Sequence, residues 1–215
     1  MAVNQVIFIR PGETEWNKLG RWQGWVSAPL NEYGIRQAQS LGRFIRNFGV
    51  KALYSSDLTR AEQTASYLTE YLGFGAILDQ RLRERNIGLW QGLTIDEMRN
   101  WHQQEFQSLQ TEPESFRMPL GESRVDVRTR ISEAFQEYIA KDFDIIAVLS
   151  HTTAIKALLT EIIDGYDFAA ADIGNTSVTT IRKSDDGVWT LVADNDLSHL
   201  EGLTSQAVPE IEENP

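Results

Sequence analysis

The sequence contains no cysteine, and this absence excludes disulfide bonds, thiolate metal sites and cysteine nucleophiles. It also has no run of eighteen apolar residues, the length that a membrane-spanning helix requires. The N-terminus leads directly into an apolar segment, with no basic stretch or cleavage site before it. We therefore expect no secretion signal and a cytoplasmic protein.

Net positive charge is also lacking, since the 215 residues carry a formal charge of −11. Nucleic acids and anionic membranes bind net basic faces, so neither is an expected partner. An acidic protein that binds an anion must instead gather its positive charges locally. The content of 41% hydrophobic and 24% charged residues suits one globular domain, which we place at residues 1–201. The sequence predicts no oligomeric state.

Short apolar runs alternate with amphipathic helical patterns along most of the chain. The predicted strands cover residues 6–9, 52–54, 76–78 and 145–149, and a hairpin is predicted from 175–181 and 188–192. The predicted helices cover residues 31–48, 58–72, 123–141 and 152–162. This alternation is typical of a parallel sheet covered by helices. The sequence therefore predicts an α/β fold, a single-domain three-layer α/β/α arrangement with a mostly parallel sheet.

Two segments depart from this alternation. Residues 93–120 mix aromatic and polar residues and contain Pro113 and Pro119, so we interpret them as a partly helical insertion over the sheet, a candidate lid. Residues 202–215 are polar and acidic, and we expect a mobile tail there.

Three predicted strands end in polar sequence that suits a bound anion. These ends are Arg10-Pro11-Gly12, Ser55-Ser56 with Arg60 shortly after, and Ser150-His151-Thr152. Parallel strands end at the same edge of a sheet, where helix N-termini also present free amides. The planar fork of arginine matches phosphate oxygens. The sequence therefore predicts a shared anion pocket, although Arg10 could instead pair with a carboxylate and Arg60 could be a solvated helix residue.

Residues 6–17 closely resemble the signature of the histidine phosphatase superfamily, the phosphoglycerate-mutase-like proteins. In that signature an apolar strand runs into Arg-His-Gly-Glu-Thr, and an Asn follows. The residues that match are Arg10, Gly12, Glu13, Thr14 and Asn17. Residues 55–61 match a second motif, Ser-Ser-x-Leu-x-Arg-Ala, and the resemblance continues nearly to Ile181. Pro11 stands where the family carries the histidine that attacks the phosphoryl group.

The resemblance implies a role for each matching side chain. It places phosphate contacts at Arg10, Asn17, Arg60 and His151, a general acid at Glu84, and a substrate-lining loop at Gln23 and Gly24. It implies neither a metal nor another cofactor, and its expected partner is phosphate or a small phosphorylated ligand. Residues 85–150 hold no paired arginines of the kind that mutases use for a substrate carboxylate, which favours the phosphatase branch, similar to α-ribazole phosphatases.

Several of these positions allow other interpretations. Glu84 could belong to an ordinary ion pair with Arg83 or Arg85. Thr152 stands where the family usually carries glycine, and its hydroxyl either adds an anion contact or narrows the pocket. The remaining histidines, His102 and His199, are interpreted as structural or exposed.

Proline has no titratable nitrogen and no backbone donor, so Pro11 can neither attack phosphorus nor donate to its oxygens. The favoured hypothesis is a pseudoenzyme that binds phosphate or a phosphomonoester and has lost most or all phosphatase activity. One base separates the His and Pro codons, so the first alternative is an active phosphomonoesterase in which Pro11 is a sequencing or cloning error or is bypassed. The second alternative is a non-catalytic scaffold.

Overall fold

A six-stranded mixed sheet organises the chain, of which this computed structural model describes residues 3–203. The strand order is β3-β2-β4-β1-β5-β6. The first four are parallel, whereas β5 pairs with β1 and with β6 in antiparallel fashion. The strands are β1 (Gln5–Ile9), β2 (Ala52–Ser55), β3 (Ala76–Leu78), β4 (Ile145–Leu149), β5 (Val178–Lys183) and β6 (Trp189–Asp196). The predicted α/β fold with a mostly parallel sheet is confirmed.

Seven α-helices accompany the sheet within residues 3–203. They are α1 (Glu15–Lys18), α2 (Glu32–Ile45), α3 (Thr59–Leu72), α4 (Ile95–Trp101), α5 (Gln103–Thr111), α6 (Arg124–Ile139) and α7 (Thr152–Ile162). The sequence predicted α2, α3, α6 and α7, whereas the single turn α1 was not predicted. None of these helices is both long and apolar enough to cross a membrane.

Helices cover both faces of the sheet because its central strands are apolar on both sides. In β1, Phe8 packs into one cluster with residues of α6 and α7, whereas its neighbour Ile7 packs into another with residues of α2 and α3. Successive side chains of a strand point to opposite faces, so an unbroken apolar run contributes side chains to the hydrophobic cores on both faces of the sheet. The result is the predicted three-layer arrangement.

The helix ends follow local sequence signals. Asn31 accepts a hydrogen bond from the Gly34 amide at 2.7 Å and caps α2. Gly73 ends α3 in the left-handed conformation, with φ at +78°. Ser123 and Asp126 form a capping box at the start of α6. These caps fix where the helices begin and end relative to the strand ends.

Residues 93–120 contain α4 and α5, and Met98 and Met118 pack there in a small hydrophobic cluster of their own with Trp90. The start of this segment is held to the chain just after α1, because Arg21 pairs with Glu97 at 3.0 Å. Its role as a lid stays a prediction, as does the domain boundary at residue 201. Of the predicted mobile tail, residues 204–215 lie outside the described residues.

Candidate active site

One pocket of about 520 Å³ lies where β1, β2 and β4 end. The structure brings together at this pocket all of the residues that the sequence predicted for the site. They are Arg10, Pro11, Asn17, Gln23, Gly24, Arg60, Glu84, His151 and Thr152. Parallel strands put their carboxyl ends at one edge, so segments distant in sequence meet there.

The turn at Pro11 is held by contacts from neighbouring elements. The Gly12 amide donates to Thr64 Oγ1 at 3.1 Å, and Asn175 Nδ2 donates to the Pro11 carbonyl at 3.0 Å. Gly12 also lies so close to α2 that a Cβ there would come within 2.7 Å of the Gly34 carbonyl oxygen. Only glycine fits this approach, and the buried Pro11 ring is fixed at the pocket wall.

A second set of contacts to this turn comes from the segment just before β5. Thr176 is fully buried with φ at +61°, and its amide donates to the carbonyl oxygens of Arg10 and Pro11 at 3.1 and 3.2 Å. Its hydroxyl lies 3.1 Å from Nε2 of His199. Burial lowers the pKa of His199 to about 4, with a smaller opposing effect from Asp196. His199 is structural, one of the two roles expected for it, whereas nothing in the sequence identified Thr176.

Arg10 and Arg60 supply positive charge to the inner part of the pocket. Arg60 is 4% exposed and donates to the carbonyl oxygens of Gly24 and Val26 at 2.9 and 3.3 Å. Burial lowers its pKa to about 10, so it remains charged at neutral pH. Burial also lowers the pKa of Arg10, against the attraction of nearby carboxylates. No carboxylate of residues 3–203 lies within ion-pair distance of Arg10, and Arg60 is not a solvated helix residue.

His151 is almost fully buried, at 3% exposure, beside these arginines. Its Nε2 lies 2.9 Å from the hydroxyl of Ser56. Burial holds the pKa of His151 well below its ordinary value, and the positive charges of Arg60 and Arg10 lower it further. The ring is therefore neutral at pH 7, with one donor and one acceptor nitrogen for hydrogen bonding.

Glu84 lies at the pocket wall, where two backbone amides hold its carboxylate. The amide of Arg85 donates to Oε1 at 2.7 Å, and that of Thr153 donates to Oε2 at 3.2 Å. Arg83 pairs with Asp57 instead, at 2.6 Å, and the Arg85 guanidinium donates to backbone carbonyls. The alternative of an ion pair between Glu84 and its flanking arginines is therefore wrong.

Asn17 and Gln23 present amide groups to the pocket in different ways. Asn17 Oδ1 accepts from the Thr14 amide at 3.1 Å and closes a capping box on α1, which fixes the side chain. Gln23 Oε1 is buried and has no hydrogen-bond partner among the described residues. Gly24 adopts a positive φ of +55°, and its carbonyl oxygen accepts a hydrogen bond from Arg60. An unsatisfied buried acceptor costs free energy unless a ligand or water supplies a donor.

Sequence reasoning did not assign several other residues that line the same pocket. They are Arg21, Arg85, Arg124, Ile87, Ile95, Leu109 and Phe168. Five arginines therefore face the pocket with Glu84 as the only carboxylate among the described lining residues. This lining is cationic although the whole chain is acidic. Within residues 3–203, no group of three or more His, Asp and Glu side chains is arranged to hold a metal ion.

Comparisons with known proteins place the chain in a family. The sequence profile of the histidine phosphatase superfamily (branch 1) matches residues 6–197. The probable phosphoglycerate mutase GpmB of Yersinia pestis (strain Pestoides F) is 34% identical over 160 residues, which cover 74% of each chain.

Two solved structures are similar along nearly their whole length. A mycobacterial glucosyl-3-phosphoglycerate phosphatase complexed with VO3 is 28% identical, with a TM-score of 0.81 and coverage of 90% of this chain and 99% of that one. A histidine-to-alanine mutant of the Entamoeba histolytica phosphoserine phosphatase, in complex with phosphoserine, is 26% identical, with a TM-score of 0.81 and coverage of 91% and 98%.

Proposed function

The chain belongs to the histidine phosphatase superfamily (branch 1), and from this membership we propose that its pocket binds phosphate or a small phosphomonoester. We further propose that its phosphatase activity is lost or severely reduced, because Pro11 occupies the position of the nucleophile. One observation carries the proposal: Arg10, Arg60 and His151 converge on a pocket whose wall at the end of β1 is a proline.

The binding part rests on charge and hydrogen-bonding capacity. Arg60 is a buried cation and Arg10 a partly buried one. Neither has a carboxylate partner among residues 3–203, and a dianionic phosphoryl group would neutralise them. The neutral ring of His151 can donate one further hydrogen bond to a phosphoryl oxygen. A phosphatase of similar structure that carries alanine in place of one histidine is found in complex with phosphoserine, which supports ligand binding in the absence of a histidine.

The catalytic part rests on the missing bond-forming group. In the family reaction a histidine nitrogen forms a bond to phosphorus while the bond to the leaving oxygen breaks, and an acid such as Glu84 protonates that oxygen. Pro11 has no nitrogen that can form the first bond. In a serine protease, removal of the nucleophile costs roughly 10⁶ in rate and leaves only the contribution of binding and charge stabilisation. We expect a comparable loss here.

Binding is tested by calorimetric titration of the chain with inorganic phosphate and with phosphoserine. We expect both to bind at millimolar concentrations or below, and Arg10→Gln to abolish the heat of binding. Arg43→Gln, which removes an exposed arginine of α2, is the matched control and should bind like the parent. No binding of either ligand by the folded parent protein would overturn the proposal.

Catalysis is tested by comparing the chain with its Pro11→His variant on an activated aryl phosphate. We expect the variant to be faster by a factor on the order of 10³ or more, provided that a thermal melt confirms its fold. Equal and substantial turnover by both proteins would contradict the loss of activity. A folded variant that binds phosphate without any gain in rate would contradict the assignment of position 11.

A further inference from the structure

The hydroxyl of Ser56 lies beside the ring of His151, behind the wall of the anion pocket. Its Oγ is 2.9 Å from His151 Nε2. Ser56 follows β2 and His151 follows β4, and these two strands pair directly, so the sheet brings the two residues together. Both are buried, with exposures of 0% and 3%. His151 lines the pocket, whereas Ser56 is not among its lining residues.

The surroundings of Ser56 decide which group donates in this contact. A hydroxyl has one hydrogen to donate and two lone pairs that can accept. The Ser56 Oγ already accepts from the Leu58 amide at 3.3 Å. The only acceptor that the described residues offer to its hydrogen is Nε2 of His151. A buried hydrogen without an acceptor costs free energy, so the Ser56 hydroxyl donates to the ring.

This donation determines where the ring carries its own hydrogen. A neutral imidazole has a hydrogen on one nitrogen, and its other nitrogen accepts. Burial holds the pKa of His151 well below its ordinary value, and the charges of Arg60 and Arg10 lower it further, so the ring is neutral at pH 7. Because Nε2 accepts from Ser56, the hydrogen of the ring is on Nδ1.

Nδ1 is the ring nitrogen that remains for a ligand. Among the described residues no group bonds to it, and the side chain of His151 makes no capping hydrogen bond at the start of α7. Nε2 points to Ser56, away from the lining, so a bound anion would meet Nδ1. Together with the guanidinium groups of Arg10 and Arg60, an Nδ1–H group would offer donors alone. Donors suit a phosphoryl group whose oxygens carry no hydrogen.

We propose that Ser56 is a positioning residue, which holds His151 in the Nδ1–H tautomer so that the ring presents a hydrogen-bond donor to the phosphoryl group. The role of that donor rests on the proposed function, whereas the tautomer itself exists with or without a ligand. If the Ser56 hydroxyl is removed, the buried Nε2 lacks a partner in either tautomer, and the two tautomers should coexist. A site in which only a fraction of the molecules is competent binds more weakly by that fraction.

The tautomer is measured by NMR on the ¹⁵N-labelled chain at pH 7 without ligand, from correlations between the ring nitrogens and the ring protons. The signals of His151 are those that disappear in His151→Gln. We expect a hydrogen on Nδ1 in the parent and both tautomers in Ser56→Ala. Ser55→Ala is the matched control, because it removes an equally buried hydroxyl that donates to the Ser56 carbonyl at 2.9 Å instead of to the ring. It should keep the tautomer of the parent.

Phosphate titrations test what the tautomer does. Ser56→Ala should bind inorganic phosphate about two- to fivefold more weakly than the parent, provided that a thermal melt confirms its fold. Ser66→Ala, which removes an exposed hydroxyl of α3, should bind like the parent. Saturating phosphate should return the ring of Ser56→Ala to the Nδ1–H tautomer, because only that tautomer donates to the phosphoryl oxygen and the ligand therefore selects it.

The parts of this inference fail separately. A parent ring with its hydrogen on Nε2, or with hydrogens on both nitrogens, refutes the role of Ser56 even if Ser56→Ala does not fold. A pure Nδ1–H tautomer in folded Ser56→Ala refutes it as well.

The role of the donor has its own refutations. If phosphate binds equally to Ser56→Ala and the parent, or leaves a mixture of tautomers unchanged, the donor role is wrong and the proposed function stands. If the folded parent binds no phosphate, the proposed function and the donor role both fail, and the tautomer alone then decides whether Ser56 orients the ring.

Discussion

The hydroxyl of Thr64 holds the turn at Pro11 against α3, and its removal provides a sharp test of how the site is built. Thr64 is fully buried. Its Oγ1 accepts from the Gly12 amide at 3.1 Å and donates to the Arg60 carbonyl at 2.8 Å. Thr64→Val keeps the shape of the side chain and removes both hydrogen bonds. The Gly12 amide is then left without its acceptor.

The expected cost follows from this unpaired donor. A buried donor that loses its partner costs about 1–3 kcal/mol. For a chain of this size, each kcal/mol lowers the melting temperature by roughly 2–4 °C, so we expect a decrease of roughly 2–12 °C. Phosphate affinity should fall as well, because Gly12 follows Pro11 in the turn that forms the pocket wall.

The assay is urea denaturation and phosphate titration of Thr64→Val beside Thr69→Val. Thr69 lies in the same helix, but its hydroxyl donates to the Ser66 carbonyl at an exposed position. The control should change the free energy of unfolding by no more than about 0.5 kcal/mol and leave phosphate binding intact. If both variants are equally stable and bind phosphate equally, the bond between Gly12 and Thr64 does not support the site.

Two further predictions concern packing and pH. Gly34→Ala should destabilise the protein by about 1–3 kcal/mol, because the new Cβ would lie 2.1 Å from the Glu13 carbonyl oxygen. Gly75→Ala is the control and should have little effect, because its Cβ would meet no atom within 4 Å. Equal midpoints of urea denaturation for the two variants would contradict this prediction. Burial holds His151 and His199 neutral in the folded state, so the unfolded chain binds protons first, and the free energy of unfolding should fall as pH decreases from 6.5 towards 4. His199→Gln should make this fall shallower, and an unchanged slope in urea denaturation would refute the contribution of His199.

Sequence signals located most of the fold because they are local. The apolar run of β4 and the caps at Asn31 and Gly73 depend on neighbouring residues alone. The turn α1 was missed because four residues are too few for a helical period. The far end of β6 was also missed, since residues 193–196 are mostly polar and form part of an edge strand. No residue of β6 is fully buried, so its sequence lacks the alternation that burial on one face produces.

The site could be predicted in its inner part but not in its outer part. Arg10, Arg60 and His151 follow strand ends, and the parallel sheet alone brings such ends together. Arg124 is the first residue of α6, so its position depends on how that helix packs. No sequence motif indicates that it lies close to Phe168. Tertiary contacts decide such positions.

The buttress formed by Thr176 and His199 has a consequence for synthesis of the chain. The turn at Pro11 leaves the ribosome early, but the groups that hold its carbonyl oxygens come from Asn175 and Thr176, and His199 follows still later. The nascent chain therefore lacks a finished anion pocket until nearly the whole described part has emerged. A phosphate bound as proposed would stabilise only the completed domain and would not assist the first stages of folding.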